Sequence, residues 1–362
     1  MMSDIESYDI IVIGAGPAGA NFARLVDSRC YRVLLVDGSS GHEKVCGGLL
    51  SPDAQDVLAR YNISVPKDVL ADPQLFSVKT VDLCDGYTRY YRRSYMNVNR
   101  RKFDELILSL VPNSVRRVSG RCVSVSREGK DFSLEIAVSG TNETQAYRCK
   151  YLVGADGASS IVRRSLFQNK KIYRYTAIQQ QFEASESEPF YSCIFDNDTS
   201  SGCSWIFFKD GRLIFGGAFE AYGSRKAFEE QKRKLIDLGV VQKEAFDFPV
   251  ALDACQVLRP KLSGGVALSK DNAFLLGEAA GFISPSSFEG ISYALLSAEA
   301  LADAFNREKG KGASIERAYK RATLALRAKI ALKCVKRPFM YDSTLRRAVM
   351  KSGLMTIKMR ER

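Results

Sequence analysis

Gly14-Ala15-Gly16-Pro17-Ala18-Gly19 sets three glycines at G-x-G-x-x-G spacing, directly after the apolar run Ile10-Ile11-Val12-Ile13. A helix-compatible stretch, Ala20 to Val26, follows. In such a unit the first glycine permits a tight turn, the second lets a pyrophosphate approach the backbone, and the third lets helix and strand pack closely. Unpaired N–H groups and the positive dipole end at the helix start then face the phosphates. A second apolar run, Val33 to Val36, ends at Asp37, an acid placed to accept hydrogen bonds from an adenosine ribose. The six residues from Gly14 to Gly19, with Asp37, therefore point to a bound dinucleotide, without saying which.

Cys46 is the side chain with the most chemical interest. The two glycines after it, Gly47 and Gly48, suit a loop pressed against a flat ring. A thiol there could give a proton or shape the face of a site; an ordinary buried cysteine is the simpler alternative. No second cysteine lies near it in sequence, which argues against a redox pair. The nine cysteines include no C-x-x-C spacing, so reduced thiols in the cytosol are expected and no metal site is. His42, the one histidine, sits in a polar loop with Lys44 and is expected at the surface.

These groups need elements to hold them. Pro52 to Tyr61 reads as a helix, and FSVKTVDL and YTRYYRRSYMNV around Asp85-Gly86 read as a hairpin. A helix is expected from Asn99 to about Leu110, then three strands from Val115 to Lys150. Ala177 to Phe219 is again β-like, Ser224 to Leu238 helical, and Ala254 to Leu258 strand-like. A long helix is expected from Gly290 to about Phe305, and another from Ala313 to Lys333, with Tyr319, Ala322, Leu326 and Ile330 at helical spacing. Nucleotide-binding pieces alternate with β-rich pieces. That interleaving predicts a dinucleotide domain (1–70, 99–165, 268–305) with a second, antiparallel-sheet domain (71–98, 166–267) inserted into it.

The net charge of +12 is unevenly spread. Residues 307–362 hold 17 Lys+Arg and 4 Asp+Glu, a balance of +13; the other 306 residues hold 36 and 37. Residues 306–362 are thus expected to form a basic helical region, either a solvated face or a contact for an anionic membrane or acidic partner. No nucleic-acid motif accompanies the charge. The start carries Asp4 and Glu6 without a basic residue, and no run reaches the ~18 apolar residues of a spanning helix. The expected location is cytoplasmic, with a peripheral position on the inner membrane face as an extension of the charge argument.

Two later motifs carry a resemblance. Asp156-Gly157-Ala158-Ser159-Ser160-Ile161-Val162-Arg163 is similar to the D-G-x-x-S-x-x-R element of flavoprotein hydroxylases, and Gly277-Glu278-Ala279-Ala280-Gly281 to their G-D-A-A element. Within that superfamily, Cys46-Gly47-Gly48 and Pro285-Ser286-Ser287-Phe288-Glu289-Gly290-Ile291 resemble the geranylgeranyl-reductase family, most closely its short bacterial CbrA-like branch. Trp205-Ile206-Phe207 resembles the core of that family's Y-x-W-x-F-P substrate motif. Glu278 stands where Asp is usual, Phe288 where Gly is usual, and Cys203 and Phe208 replace the motif's Tyr and Pro.

The resemblance implies an α/β fold: a Rossmann-like FAD-binding domain with a mostly parallel sheet, an interleaved antiparallel substrate domain and a helical tail. It implies FAD as cofactor, with Glu278 on the ribityl chain and Arg100, in R-x-x-F-D, on the pyrophosphate or ribityl group. Asp156 and Gly157 fix the chain crossing; Gly277, Gly281, Gly290 and Ile291 set backbone and a helix start toward the ring. Trp205, Phe207 and Phe208 are expected to line an apolar cavity, and Phe288, counted with them toward the substrate, to narrow the loop near the flavin. The implied reaction is reduction of carbon–carbon double bonds in a prenyl or other hydrophobic substrate, with electrons from NAD(P)H or a small redox protein. The competing readings are a monooxygenase of the hydroxylase or halogenase type and a non-catalytic flavin-binding sensor.

Overall fold

The computed structural model describes residues 5–38, 45–168, 172–184, 188–262 and 264–359. The chain runs β1 (Glu6–Ile13), α1 (Pro17–Leu25), β2 (Val33–Asp37), β3 (Leu49–Leu50), α2 (Pro52–Arg60), β4 (Leu75–Asp82), β5 (Tyr87–Asn97) and α3 (Arg100–Ser109). Then come β6 (Arg116–Glu128), β7 (Asp131–Val138), β8 (Thr144–Gly154), α4 (Ile161–Leu166), β9 (Tyr173–Glu183), β10 (Phe190–Phe195), β11 (Ser204–Lys209) and β12 (Arg212–Glu220). The last third holds α5 (Ser224–Asp237), β13 (Pro249–Arg259), β14 (Ser269–Lys270), β15 (Ala273–Leu275), α6 (Ile291–Glu308), α7 (Gly312–Ala322), α8 (Leu324–Lys336), α9 (Pro338–Tyr341), α10 (Ser343–Ser352) and β16 (Thr356–Ile357).

The first sheet has a parallel core in the order β6-β2-β1-β8-β15. β7 joins the far halves of β6 and β8 antiparallel, and β14 pairs antiparallel with β15. Ile10 to Ile13 and Val33 to Val36 are fully buried, as a parallel sheet covered on both faces requires. α1 packs on α6 and α3 across this core. The second sheet runs β13-β9-β12-β11-β10-β4-β5-β16 and is antiparallel except for β10 on β4. One of its faces is covered by α5, where Phe215, Phe219 and Phe228 pack together.

The C-terminal region departs from expectation in two ways. The helix anticipated over 313–333 is split at Thr323, whose hydroxyl donates to the Tyr319 carbonyl (2.9 Å) beside its own N–H (3.0 Å), a back-bond of the kind that bends helices. Beyond the helices, Thr356–Ile357 adds a strand to β5. The region is also tied down by charge: Lys329 meets Asp53 (2.6 Å), Arg347 meets Asp85, and Arg346 grips Asp82 with two bonds of 2.7 and 2.9 Å. Part of the basic excess therefore serves as intramolecular counter-charge, and of these three pairs Arg346–Asp82 is the buried one.

Candidate functional site

The three separated glycine-rich pieces meet at the ends of β1, β8 and β15. The Ala155 N–H donates to the Ile13 carbonyl (2.8 Å) and the Leu276 N–H to the Gly154 carbonyl (2.9 Å). At Gly14 (φ +104°) an added Cβ would lie 2.6 Å from the Ala155 carbonyl oxygen; at Gly19 it would lie 1.8 Å from that of Gly14. These two glycines are demanded by the turn and by helix–strand contact. At Gly16, the N-cap of α1, an added Cβ would meet nothing within 4 Å. The open space lies just where the uncapped helix N-terminus presents its N–H groups, a cradle for an anion.

Asp156 and Arg163 fasten the second piece to the third. Asp156 Oδ2 accepts the Ile161 N–H (2.7 Å), and Ser160 caps α4 by accepting the Arg163 N–H (3.0 Å). The buried Arg163 guanidinium donates to the Ala279 carbonyl (2.8 Å); desolvation, with the nearby Arg174, lowers its pKa to about 10. Asp156 Oδ1 is buried with no hydrogen-bond partner among the described residues, and burial raises this carboxyl above its ordinary value. Glu278 Oε1 accepts the Leu258 N–H (2.9 Å), so its longer arm reaches across to β13 in the second sheet. Asp37 ends β2, half-buried beside this junction. Gly277, with Ala18 of α1 3.1 Å from an added Cβ, and Gly281 complete the turn ahead of Gly290-Ile291, the uncapped start of α6. An open pyrophosphate cradle, two uncapped helix starts and an orphaned buried carboxylate oxygen fit an FAD molecule.

The Cys46 loop lies against the second sheet. Gly48 (φ +64°) sits so close to the Val98 carbonyl that a Cβ would come within 2.3 Å, and the Gly47 Cα faces the Phe207 ring. Lys209 Nζ pins the loop by donating to the Gly47 and Val98 carbonyls (2.5 and 2.7 Å). Arg100 is not a surface residue. It is paired with Asp104 (2.8 Å) and faces the Cys46 thiol; burial works against its charge, but Asp104 and Cys46 outweigh burial and raise its pKa. Lys209→Met would strand two carbonyls. A loss of about 1–3 kcal/mol is expected, read by urea unfolding.

Cys46, Gly47, Arg100 and Phe207 line one cavity of about 330 Å³ together with Val45, Asn99, Gln179, Gln181, Lys209, Asp210, Arg212, Ile214 and Asp253. Its lining is far more polar than the apolar cavity expected. Phe208 does not belong to it. Residues 205, 207 and 209 share one face of β11, while Phe208 points to the opposite face and packs with the α5 layer. Strict alternation along β11 was the signal that could have excluded Phe208 and found Lys209. Gln179, Gln181 and Asp253 come from β9 and β13, whose register with β11 no local pattern encodes.

Trp205 and Phe288 lie in a neighbouring apolar cluster with Val45, Tyr175 and Ile283. Phe288 keeps φ +54°, a conformation suited to the glycine it replaces. It is held by an edge contact with Tyr175 (5.6 Å) and by the Arg259 guanidinium (5.3 Å). Glu289 beside it accepts from Tyr95 (2.6 Å) and Arg93 (3.0 Å), which anchors the loop to β5. His42 and Lys44 lie outside the described residues.

Residues 112–321 match the model of an FAD binding domain, and residues 8–181 that of a pyridine nucleotide-disulphide oxidoreductase. Protein CbrA of Escherichia coli strain K12 is 42% identical over 360 residues, 97% of this chain and 98% of that protein. Among solved structures, a geranylgeranyl bacteriochlorophyll reductase-like protein from Thermoplasma acidophilum superposes with a TM-score of 0.78 at 18% identity, covering 95% of this chain and 91% of the other. PqsL of Pseudomonas aeruginosa, solved with 2-aminobenzoylacetate, gives 0.72 at 18%, covering 96% and 100%. At that identity both likenesses speak for the fold.

Proposed function

The chain belongs to the CbrA family of FAD-dependent oxidoreductases, and from that premise we propose that it reduces a carbon–carbon double bond in an amphiphilic substrate, a prenyl chain or similar apolar group with a polar end. The observation that carries this reading is the shared cavity of Cys46, Arg100 and Phe207. FAD, bound and reduced, would supply the hydride chemistry at one alkene carbon. Cys46 gives the proton to the other, and Arg100 holds the sulfur's negative charge until it is reprotonated. Gly14, Gly16, Gly19 and the start of α1 would hold the pyrophosphate of FAD, Asp37 the ribose, and Glu278 the ribityl side. Phe207 and Ile214 seat the apolar part; Gln181, Arg212 and Asp253 orient the polar end. Because an isolated alkene is a poor hydride acceptor, orientation and proton supply must carry much of the barrier. The electrons come from NAD(P)H or a small redox protein.

A second reading, oxygen-dependent hydroxylation or halogenation of a small polar aromatic, is favoured by the polar side chains Gln179, Gln181 and Asp253. The two separate in one experiment. Photoreduced protein is mixed anaerobically with geranylgeranyl diphosphate and, in parallel, with other prenyl alkenes, and flavin absorbance is followed. Reoxidation without oxygen, with a saturated product, supports the reductase. Recovery only with oxygen, and an oxygenated or halogenated product, overturns it. In the reductase, Cys46→Ala is expected to slow reoxidation on the order of 100-fold while FAD stays bound.

A further inference from the structure

α8 turns its wrong side to solvent. Leu324, Leu332 and Val335 are 63, 70 and 59% exposed, and Phe339 of α9, one turn on, is 49% exposed. With the exposed Ala325 and Ala328 they form one continuous stripe at helical spacing. Leu326 and Ile330 point the other way, into the core, while Lys329 and Lys333 lie toward Asp53 and Tyr293. The stripe is thus additional to the helix's buried face. Lys336 borders it on one side, and exposed Lys320 and Arg321 stand at its N-terminal end. Residues 317–341 contain eight Lys+Arg and no Asp or Glu.

We propose that the outer face of α8, continued by Phe339, docks this protein on an anionic lipid bilayer, lying in the interface. Exposed leucine, valine and phenylalanine flanked by lysines and arginines are the composition of an interfacial helix face. Among the described residues no helix is long and apolar enough to cross a membrane, so the helix rests on the surface. A second copy of the chain is a poorer occupant: a self-paired face would set two strongly basic regions against each other, whereas anionic headgroups neutralise them. The opposite side of the same helix pair touches the site. Tyr341 at the end of α9 donates to the Ser286 carbonyl (2.7 Å), beside Phe288 and Glu289. The docked face therefore backs directly onto that loop, whatever the substrate is.

The test uses the full-length FAD-loaded protein and sedimentation with vesicles of phosphatidylglycerol or of phosphatidylcholine. Binding to phosphatidylglycerol alone is expected, weakened by salt, and reduced at least about tenfold in the Leu332→Glu, Val335→Glu double variant. FAD content and unfolding midpoint show that the variant folds. No binding to phosphatidylglycerol vesicles, or equal binding by the variant, overturns the proposal. So does a concentration-dependent dimer that the same substitutions dissolve, which would assign the stripe to a second copy.

Discussion

Gly16→Val is expected to leave the apoprotein's stability within about 1 kcal/mol of the parent and to weaken FAD binding on the order of 100-fold. Gly19→Ala is expected to do the reverse, destabilising the fold by more than about 3 kcal/mol before any cofactor is added. The two glycines stand three residues apart in one motif, yet their surroundings differ. A Cβ on Gly19 would overlap the Gly14 carbonyl oxygen at 1.8 Å, a clash with backbone that no rotamer can relieve. A Cβ on Gly16 meets nothing within 4 Å in the protein, and its backbone is already extended (φ −65°, ψ −176°) ahead of Pro17. It would fill only the space where a pyrophosphate must approach the α1 N-terminus. Urea unfolding of apoprotein and a fluorescence titration with FAD separate the two effects. Equal loss of stability in both variants would show that Gly16 is also a packing glycine and remove the case for an open cradle.

Arg346→Ala is expected to cost about 3–5 kcal/mol, measured by urea unfolding. Arg346 and Asp82 are buried, with side chains 3 and 0% exposed, and join through two parallel bonds; Arg346 also donates to the Met340 carbonyl (2.9 Å). Removing the arginine leaves the Asp82 carboxylate buried and uncompensated, which is the costly half of breaking such a pair. The Asp82→Ala, Arg346→Ala double variant should therefore recover much of the loss, because no unpaired charge remains. Losses that simply add would show that Arg346 acts through packing alone. Lysine at 346 should not restore stability, since it cannot reproduce the two-pronged geometry. The pair holds α10 to β4, so the same variant should release the C-terminal helices toward proteolysis.

Much of this architecture was legible in the chain. The strand–glycine–helix unit at Ile10 to Leu25, the helix over Pro52–Arg60, the hairpin around Asp85-Gly86 and the three strands between Arg116 and Gly154 all follow from periods and turn residues that act within a few positions. Gly14 and Gly19 belong with them, because the turn and the close approach are made by residues next door or by a chain piece with its own motif. FAD as the cofactor was likewise readable, once Asp156-Gly157 and Gly277-Glu278 stood in order behind the first glycines.

The identity of the cavity walls was not readable in this way. Phe208 follows Phe207 yet faces the α5 layer, and Lys209 returns to the Cys46 loop; the face each takes depends on which side of β11 meets the first domain. Arg100 gave a pyrophosphate or ribityl expectation by resemblance; its largely buried place beside Cys46, which joins residues fifty-odd positions apart, was not part of that expectation. Gln181, Arg212 and Asp253 arrive through strand register, and Asp82 meets Arg346 across 264 positions. Composition located the basic excess, but only the docking of α8 decided which cations are spent inside and which border an exposed apolar stripe. Local spacing is a property of the backbone and survives in one dimension; pairing, facing and exposure are set when separate elements pack, and that information exists only in the assembled chain.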